Sequence, residues 1–417
     1  MLGLAIQDFI KPKVNERRFH EKFTQSFTKL GVIVMNNFQL NSTKNNTKNQ
    51  EEILQEIKLN FLKKSSVKMA NIFLDFDKKK GARMIDCAKV LLFKKFEQIE
   101  YRKLFKAFMC KILLCPFCMT RKSILIGNNL YKVLQFGADE KKLEYIHLTL
   151  ALKNCKINEL KDTIELMLKA FEKFRKRDIF QERRGGTIKG WFRNLEITFN
   201  QEDKTFHPHF HILLAVEKSY FFKETNPDKY LTQEVALQMW KECLGVDYLP
   251  TTDLRKVYYL DENGNKIINF TDENGNKIIN FTDGEGLKKA VEEASKYITK
   301  AMELLSIDDE KLQKKVIRSM LQALSYRRLF AYGGILKNIR AELKLQDEEK
   351  SNLINLGDDE IDTTGMEYFV EVYKWCQDNG GQYHKFMELS EGEYKKFEKS
   401  MQDERNTLRK MNILKLK

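Results

Sequence analysis

The 417 residues contain no run of 18 or more apolar side chains, and the first 30 hold no signal-peptide core. Crossing a bilayer as a helix takes about 20 apolar residues, so a membrane span is excluded and the cytoplasm is the expected location. Cysteine is sparse and odd in number, seven in a lysine-rich chain, which argues for reduced thiols or metal ligands instead of a disulfide framework. Negative charge is in deficit: 73 lysines and arginines face 59 acidic residues, a formal +14 that exceeds what solubility requires. The excess lies in the N-terminal two thirds, and nucleic acid is the expected partner, with no membrane association.

Histidine is scarce as well, with six in all, yet three of them fall in Phe206-His-Pro-His-Phe-His-Ile-Leu-Leu-Ala-Val216. Side chains alternate along a strand, so His207, His209 and His211 share one face while Phe210 and Ile212 enter the core. Leu195-Glu-Ile-Thr-Phe-Asn200 alternates in the same way, and the polar turn from Gln201 to Thr205 joins the two runs as a hairpin. A turn centred near Asp203 and Lys204 sets Glu196 opposite His211 and Thr198 opposite His209. Glu196 then joins the histidines as the carboxylate ligand of a divalent cation, manganese or magnesium, with zinc also compatible.

A second ligand group is Cys87, Cys110, Cys115 and Cys118, the last two forming a C-x-x-C knuckle. Four thiolates complete a closed structural zinc shell, and the βαβ context of a thioredoxin-like redox motif is missing. Arg121 and Lys122 follow at once and would offer positive charge to phosphates. Cys155, Cys243 and Cys376 are assigned to packing.

Taken in order, residues 1–80 form a basic N-terminal region containing a polar linker at 41–50 and a short packing helix at 51–64. Residues 81–125 are the cysteine-rich segment. Beyond it come a strand over 145–152 with His147 and Thr149 on one face, a helix over 160–174 ending in cationic residues, the histidine hairpin, a helix over 233–243 and a strand over 254–260. This β-α-β-β-α-β order predicts an α+β sandwich with a central antiparallel sheet. Residues 261–271 and 272–282 repeat the same eleven letters, Asp-Glu-Asn-Gly-Asn-Lys-Ile-Ile-Asn-Phe-Thr, as expected of a tolerated surface insertion. Residues 346–365 read as an acidic linker, and 366–417 as a small helical tail rich in aromatics. That tail would bind a host helicase, mediate a homodimer or cap the fold.

Between Gly286 and Leu305, Leu287, Val291, Ala294, Ile298, Ala301 and Leu305 follow a 3.6-residue period. At the flank of this stripe Glu293, Tyr297 and Lys300 form one row. A tyrosine phenolate attacks a phosphodiester when a divalent ion withdraws charge from the phosphate and a lysine steadies the developing anion. Glu293, one turn away, has the position to deprotonate water or a hydroxyl. Ser306, Asp308 and Asp309 open the next helix, which runs to Tyr326.

His207-Pro-His-Phe-His211, Tyr297-Ile-Thr-Lys300 and the strand from Tyr145 to Asn154 resemble the motifs of the HUH endonucleases. More narrowly, they resemble the replication initiators of rolling-circle plasmids from Gram-positive bacteria. The likeness runs from about Arg83 to Leu345 and includes Cys110 to Arg121, Leu195 to Asn200, Ser219-Tyr220-Phe221 and Arg327-Arg-Leu-Phe-Ala-Tyr-Gly-Gly334. It implies an HUH catalytic domain over 126–345 that nicks plasmid origin DNA, with Tyr297 forming a 5′-phosphotyrosyl link and leaving a 3′-OH. It further implies that Glu293 replaces a second tyrosine and activates water in termination, and that His209 and His211 pair as metal ligands with Glu196 or His207 as third. The duplication and the stretch before Arg83 depart from the family's pattern and bear on origin specificity. A conjugative relaxase or a transposase of the same superfamily would share the chemistry, and a non-catalytic zinc-containing DNA-binding regulator would need neither Tyr297 nor Glu293.

Overall fold

The computed structural model describes residues 47–99, 101–221, 230–257, 285–295, 299–356 and 361–399. Almost all of these belong to one unit, Ile53–Lys417, separate from Met1–Glu52. Among the described residues helices α1 (Thr47–Leu74) and α2 (Lys78–Asp86) come first, the second capped by the Asp77 side chain, which accepts from the Lys80 amide. The strands β1 (Val90–Phe96) and β2 (Tyr101–Ala107) pair antiparallel, and α3 (Pro116–Lys141) follows. Pro116 stands at the start of α3, where its missing N–H would have had no helical partner.

The central run then unfolds as expected: β3 (Leu143–Ala151), the two-residue β4 (Cys155–Lys156), α4 (Leu160–Phe174), β5 (Ile188–Asn200), β6 (Thr205–Glu217), α5 (Gln233–Leu244) and β7 (Thr252–Lys256). Helices α6 (Glu285–Ser295), α7 (Thr299–Glu303) and α8 (Glu310–Leu324) precede β8 (Phe330–Gly334) and α9 (Ile335–Glu342). Asp309 caps α8 by accepting from Lys311 and Leu312. Gly334 links β8 to α9 with φ +57, and a Cβ there would meet the Lys189 carbonyl oxygen at 2.2 Å, so only glycine fits.

The larger sheet has the order β7-β3-β6-β5-β8, with β4 paired to β6 and every pairing antiparallel. One face is apolar: Leu148, Leu150, Phe210, Ile212 and Leu214 pack against Ile164, Met167, Phe171 and Phe174 of α4 and Trp240 of α5. The opposite face carries the histidines and receives α3, α6 and α9. The architecture is therefore α+β with helices on both sides of an antiparallel sheet.

Three expectations are corrected. The tail at 366–417 is not purely helical: β9 (Phe369–Cys376) and β10 (Gln382–Ser390) complete a second antiparallel sheet of order β10-β9-β1-β2, and helix resumes only over 391–399. Val370 and Val372 point to one side of this sheet and Tyr373 and Trp375 to the other, the two-residue period of a strand instead of the helical one. The segment expected as a linker at 346–365 is packed along α3 as far as it is described. The guanidinium of Arg121 donates to the carbonyls of Leu353 and Ile354, Asn128 donates to the Leu356 carbonyl, and Leu353 and Leu356 are buried. The polar linker at 41–50 gives way to helix from Thr47, and α1 extends ten residues beyond the expected end at Lys64 because Met69, Ala70 and Phe73 continue its buried stripe. The described part of the strand expected over 254–260 ends at Lys256, and the duplicated segment 261–282 lies outside the described residues, as do 1–46 and 401–417.

Candidate metal centres

Strands β5 and β6 bring Glu196, His209 and His211 together. The register pairs Glu196 with His209, Asn194 with His211 and Thr198 with His207, two residues from the expected one. The turn is the reason: it spans residues 201–204, and the Asn200 side chain accepts from the amides of Glu202 and Asp203 at 2.9 and 3.3 Å. Glu196 still reaches both imidazoles, because diagonal neighbours on a strand pair lie within side-chain reach. Its Oε2 is 2.7 Å from His211 Nε2 and 3.5 Å from His209 Nε2, and the two Nε2 atoms are 3.1 Å apart. His209 Nδ1 faces the His207 carbonyl at 3.2 Å, which turns Nε2 toward the shared point. His207 is directed elsewhere, its Nδ1 lying 2.8 Å from Asn154 Oδ1.

Three donor atoms on so small a triangle suit one cation, since ligand bonds of about 2.0–2.2 Å place neighbouring donors roughly 3 Å apart. The surroundings are polar and incompletely satisfied: His211 Nδ1, Asn194 Nδ2 and His147 Nε2 are buried without a hydrogen-bond partner among the described residues. His147, one strand over on β3, has its ring 5.4 Å from that of His211, a neighbour that strand alternation alone does not reveal. Burial, then the neighbouring His211, holds its pKa down to about 4, while Glu293 acts in the opposite sense. Glu293 on α6 is thus within electrostatic reach of the histidine face, against which α6 packs. Tyr297 lies outside the described residues, and Lys300 is described only as part of the α7 backbone.

The second group is equally compact. Cys87 Sγ is 3.4 Å from Cys118 Sγ and 3.8 Å from Cys115 Sγ, and Cys110 Sγ is 3.7 Å from Cys118 Sγ. All four are buried and none is in a disulfide. A tetrahedral ion with Zn–S bonds of about 2.3 Å has S–S edges of about 3.8 Å, so the cluster fits zinc. The amides of Cys110 and Lys111 donate to Cys87 Sγ and Cys118 Sγ at 3.4 and 3.3 Å, as in a knuckle. Hydrogen bonding to the other three sulfurs, with burial added, pushes the Cys87 thiol upward in the absence of a cation. Arg121 is occupied by the 353–354 carbonyls and Lys122 by Glu349 at 2.7 Å, so neither is the open phosphate contact expected of them. Cys155 and Cys243 are buried, in line with packing roles, and Cys376 is partly exposed.

Among the described residues these features define the class: an α+β protein with an antiparallel sheet, one carboxylate–imidazole group and one tetrathiol group of metal-ligating type. A family model described as replication protein matches residues 101–384. A "Protein rep" from Bacillus amyloliquefaciens is 33% identical over 299 residues, covering 71% of this chain and 82% of its own length. A second, from Lactiplantibacillus plantarum, is 30% identical over 313 residues, 74% of this chain and 90% of its own. No solved structure matches. The chain belongs to the replication protein family.

Proposed function

We propose that the chain initiates rolling-circle replication of a plasmid by nicking its origin. The observation that carries this reading is the convergence of Glu196, His209 and His211 on a sheet face covered by α6, the helix that ends two residues before Tyr297. Glu196, His209 and His211 would hold a divalent cation, manganese or magnesium, which when bound supplies positive charge to a phosphate oxygen. The Tyr297 oxygen forms the new bond to phosphorus and the bond to the 3′ oxygen breaks, giving a 5′-phosphotyrosyl link and a 3′-OH that takes up the proton. Lys300 steadies the charge that develops on the phosphate. In termination Glu293 takes a proton from water, which displaces the tyrosine from phosphorus. Cys87, Cys110, Cys115 and Cys118 hold zinc as a closed structural site. Origin DNA is the proposed partner, with a host helicase and a second copy of the chain as further ones.

The test is to incubate the purified protein with a labelled single strand from its origin, with manganese or with a chelator, and to resolve the products on a denaturing gel. A manganese-dependent band shifted by the mass of the protein, absent in Tyr297→Phe, is expected. An undiminished adduct in Tyr297→Phe would rule out this nucleophile, and tight binding without cleavage would favour the regulator.

A further inference from the structure

Helix α1 meets the cysteine cluster with two polar side chains, Lys63 and Ser66, set in the same buried stripe as Leu62, Met69 and Ala70. Lys63 is 0% exposed, and its Nζ donates to the carbonyls of Ile85 and Cys87 at 2.5 and 2.6 Å. Ser66 Oγ lies 3.7 Å from Cys115 Sγ and accepts from the Phe117 amide at 3.0 Å. A lysine is almost never fully buried unless its charge is met, and two carbonyls supply dipoles but no net charge. The ammonium is anchored on the backbone of Cys87, one of the four sulfur-bearing residues, whereas Asp86, next to it in the chain, is exposed at the end of α2. One zinc with four thiolates carries a net charge of −2, which is itself costly to bury without a cation nearby.

We propose that Lys63 is the built-in counter-cation of a tetrathiolate centre, so that loading of the metal and docking of α1 are one event. This rests on the zinc reading of the four cysteines. With the ion bound, the ammonium and the thiolate shell offset one another. Without it, α1 carries a buried charge that has lost its complement and loosens from the cluster.

The experiment uses the full-length protein. Zinc affinity is measured by competition with a chromogenic chelator in the parent chain, in Lys63→Met and in Lys64→Met, whose side chain is exposed on the same helix. Lys63→Met should weaken zinc about ten- to hundredfold, as loss of an outer partner does in other metal sites, and Lys64→Met should not. In the parent chain, zinc removal should speed amide exchange across the middle of α1. Equal affinity in Lys63→Met overturns the proposal, and so does unchanged α1 exchange on zinc removal, which decides the matter should Lys63→Met fail to fold. If the parent chain retains no zinc and gives no thiolate absorption with cobalt, the zinc reading itself falls, and the counter-cation falls with it.

Discussion

Lys58 shows how a single residue can make stability depend on pH. It lies one and a half turns before Lys63 on α1, largely buried, and desolvation followed by the charge of Arg121 lowers its pKa from 10.5 to about 8. Between these two values the unfolded chain binds more protons than the folded one, so stability rises with pH across that window. Below pH 8 the penalty is fully present, at roughly 3 kcal/mol. Lys58→Met keeps the methylene stem without the charge. Its urea midpoint at pH 7 should exceed that of the parent chain, and the gap should close as pH rises from 8 toward 10.5. A constant gap would place the effect in packing. At this scale the sequence was partly legible. The crowding of histidines between His207 and His211 marked the carboxylate–imidazole group because few residue types ligate metals, and the C-x-x-C spacing marked the thiols. Lys63 left a weaker trace, a lysine within an apolar stripe, whose meaning depends on a cluster contributed by distant parts of the chain. His147 left less, since a histidine on a strand says nothing of the ring across from it.

The β5–β6 hairpin shows what one element fixes and what local pattern leaves open. Alternation identified both strands, but a hairpin's register depends on its turn, and the turn here is set by side-chain hydrogen bonds that period-two counting does not see. Asn200 makes three of these, accepting from the Glu202 and Asp203 amides and donating to Asp203 Oδ2 at 2.8 Å. Asn200→Ala should cost about 1 kcal/mol, a typical net value for exposed hydrogen bonds. It should also weaken manganese at Glu196, His209 and His211 without disturbing zinc at the cysteines, because only the first group straddles this hairpin. Calorimetric titration with manganese, with zinc content measured in parallel, checks both halves. Unchanged manganese affinity would show that the strands hold register without the turn. The same limit explains the tail: its aromatics at Tyr368, Phe369, Tyr373 and Trp375 signalled a folded piece, but β9 is a strand only because β1 and β10 lie on either side to pair with it.

Across the whole molecule, the second sheet ties the end of the described chain to its beginning. β9 lies between β10 and β1, pairing with β1 from Val90 to Lys95, and the Trp375 amide donates to the Lys89 carbonyl. The Tyr383 amide donates to the Asn60 side chain on α1, and the Tyr383 hydroxyl donates to the Ala88 carbonyl, next to Cys87. The β1–β2 hairpin has Cys87 just before it and Cys110 just after it, so whatever holds the hairpin also holds two of the four sulfurs. Truncation after residue 365 would strip β1 of β9, its partner on the side away from β2, leave a row of unpaired amides and carbonyls on an edge carrying Leu91 and Phe93, and remove the packing of Tyr373 and Tyr383 against the core. The expected result is a chain that aggregates on size-exclusion chromatography and retains less than one zinc per molecule. The histidine group, on a sheet that β9 and β10 do not join, should still bind manganese in whatever soluble fraction remains. A monodisperse truncated protein with full zinc would show that the β1–β2 hairpin and its cysteines stand without the tail.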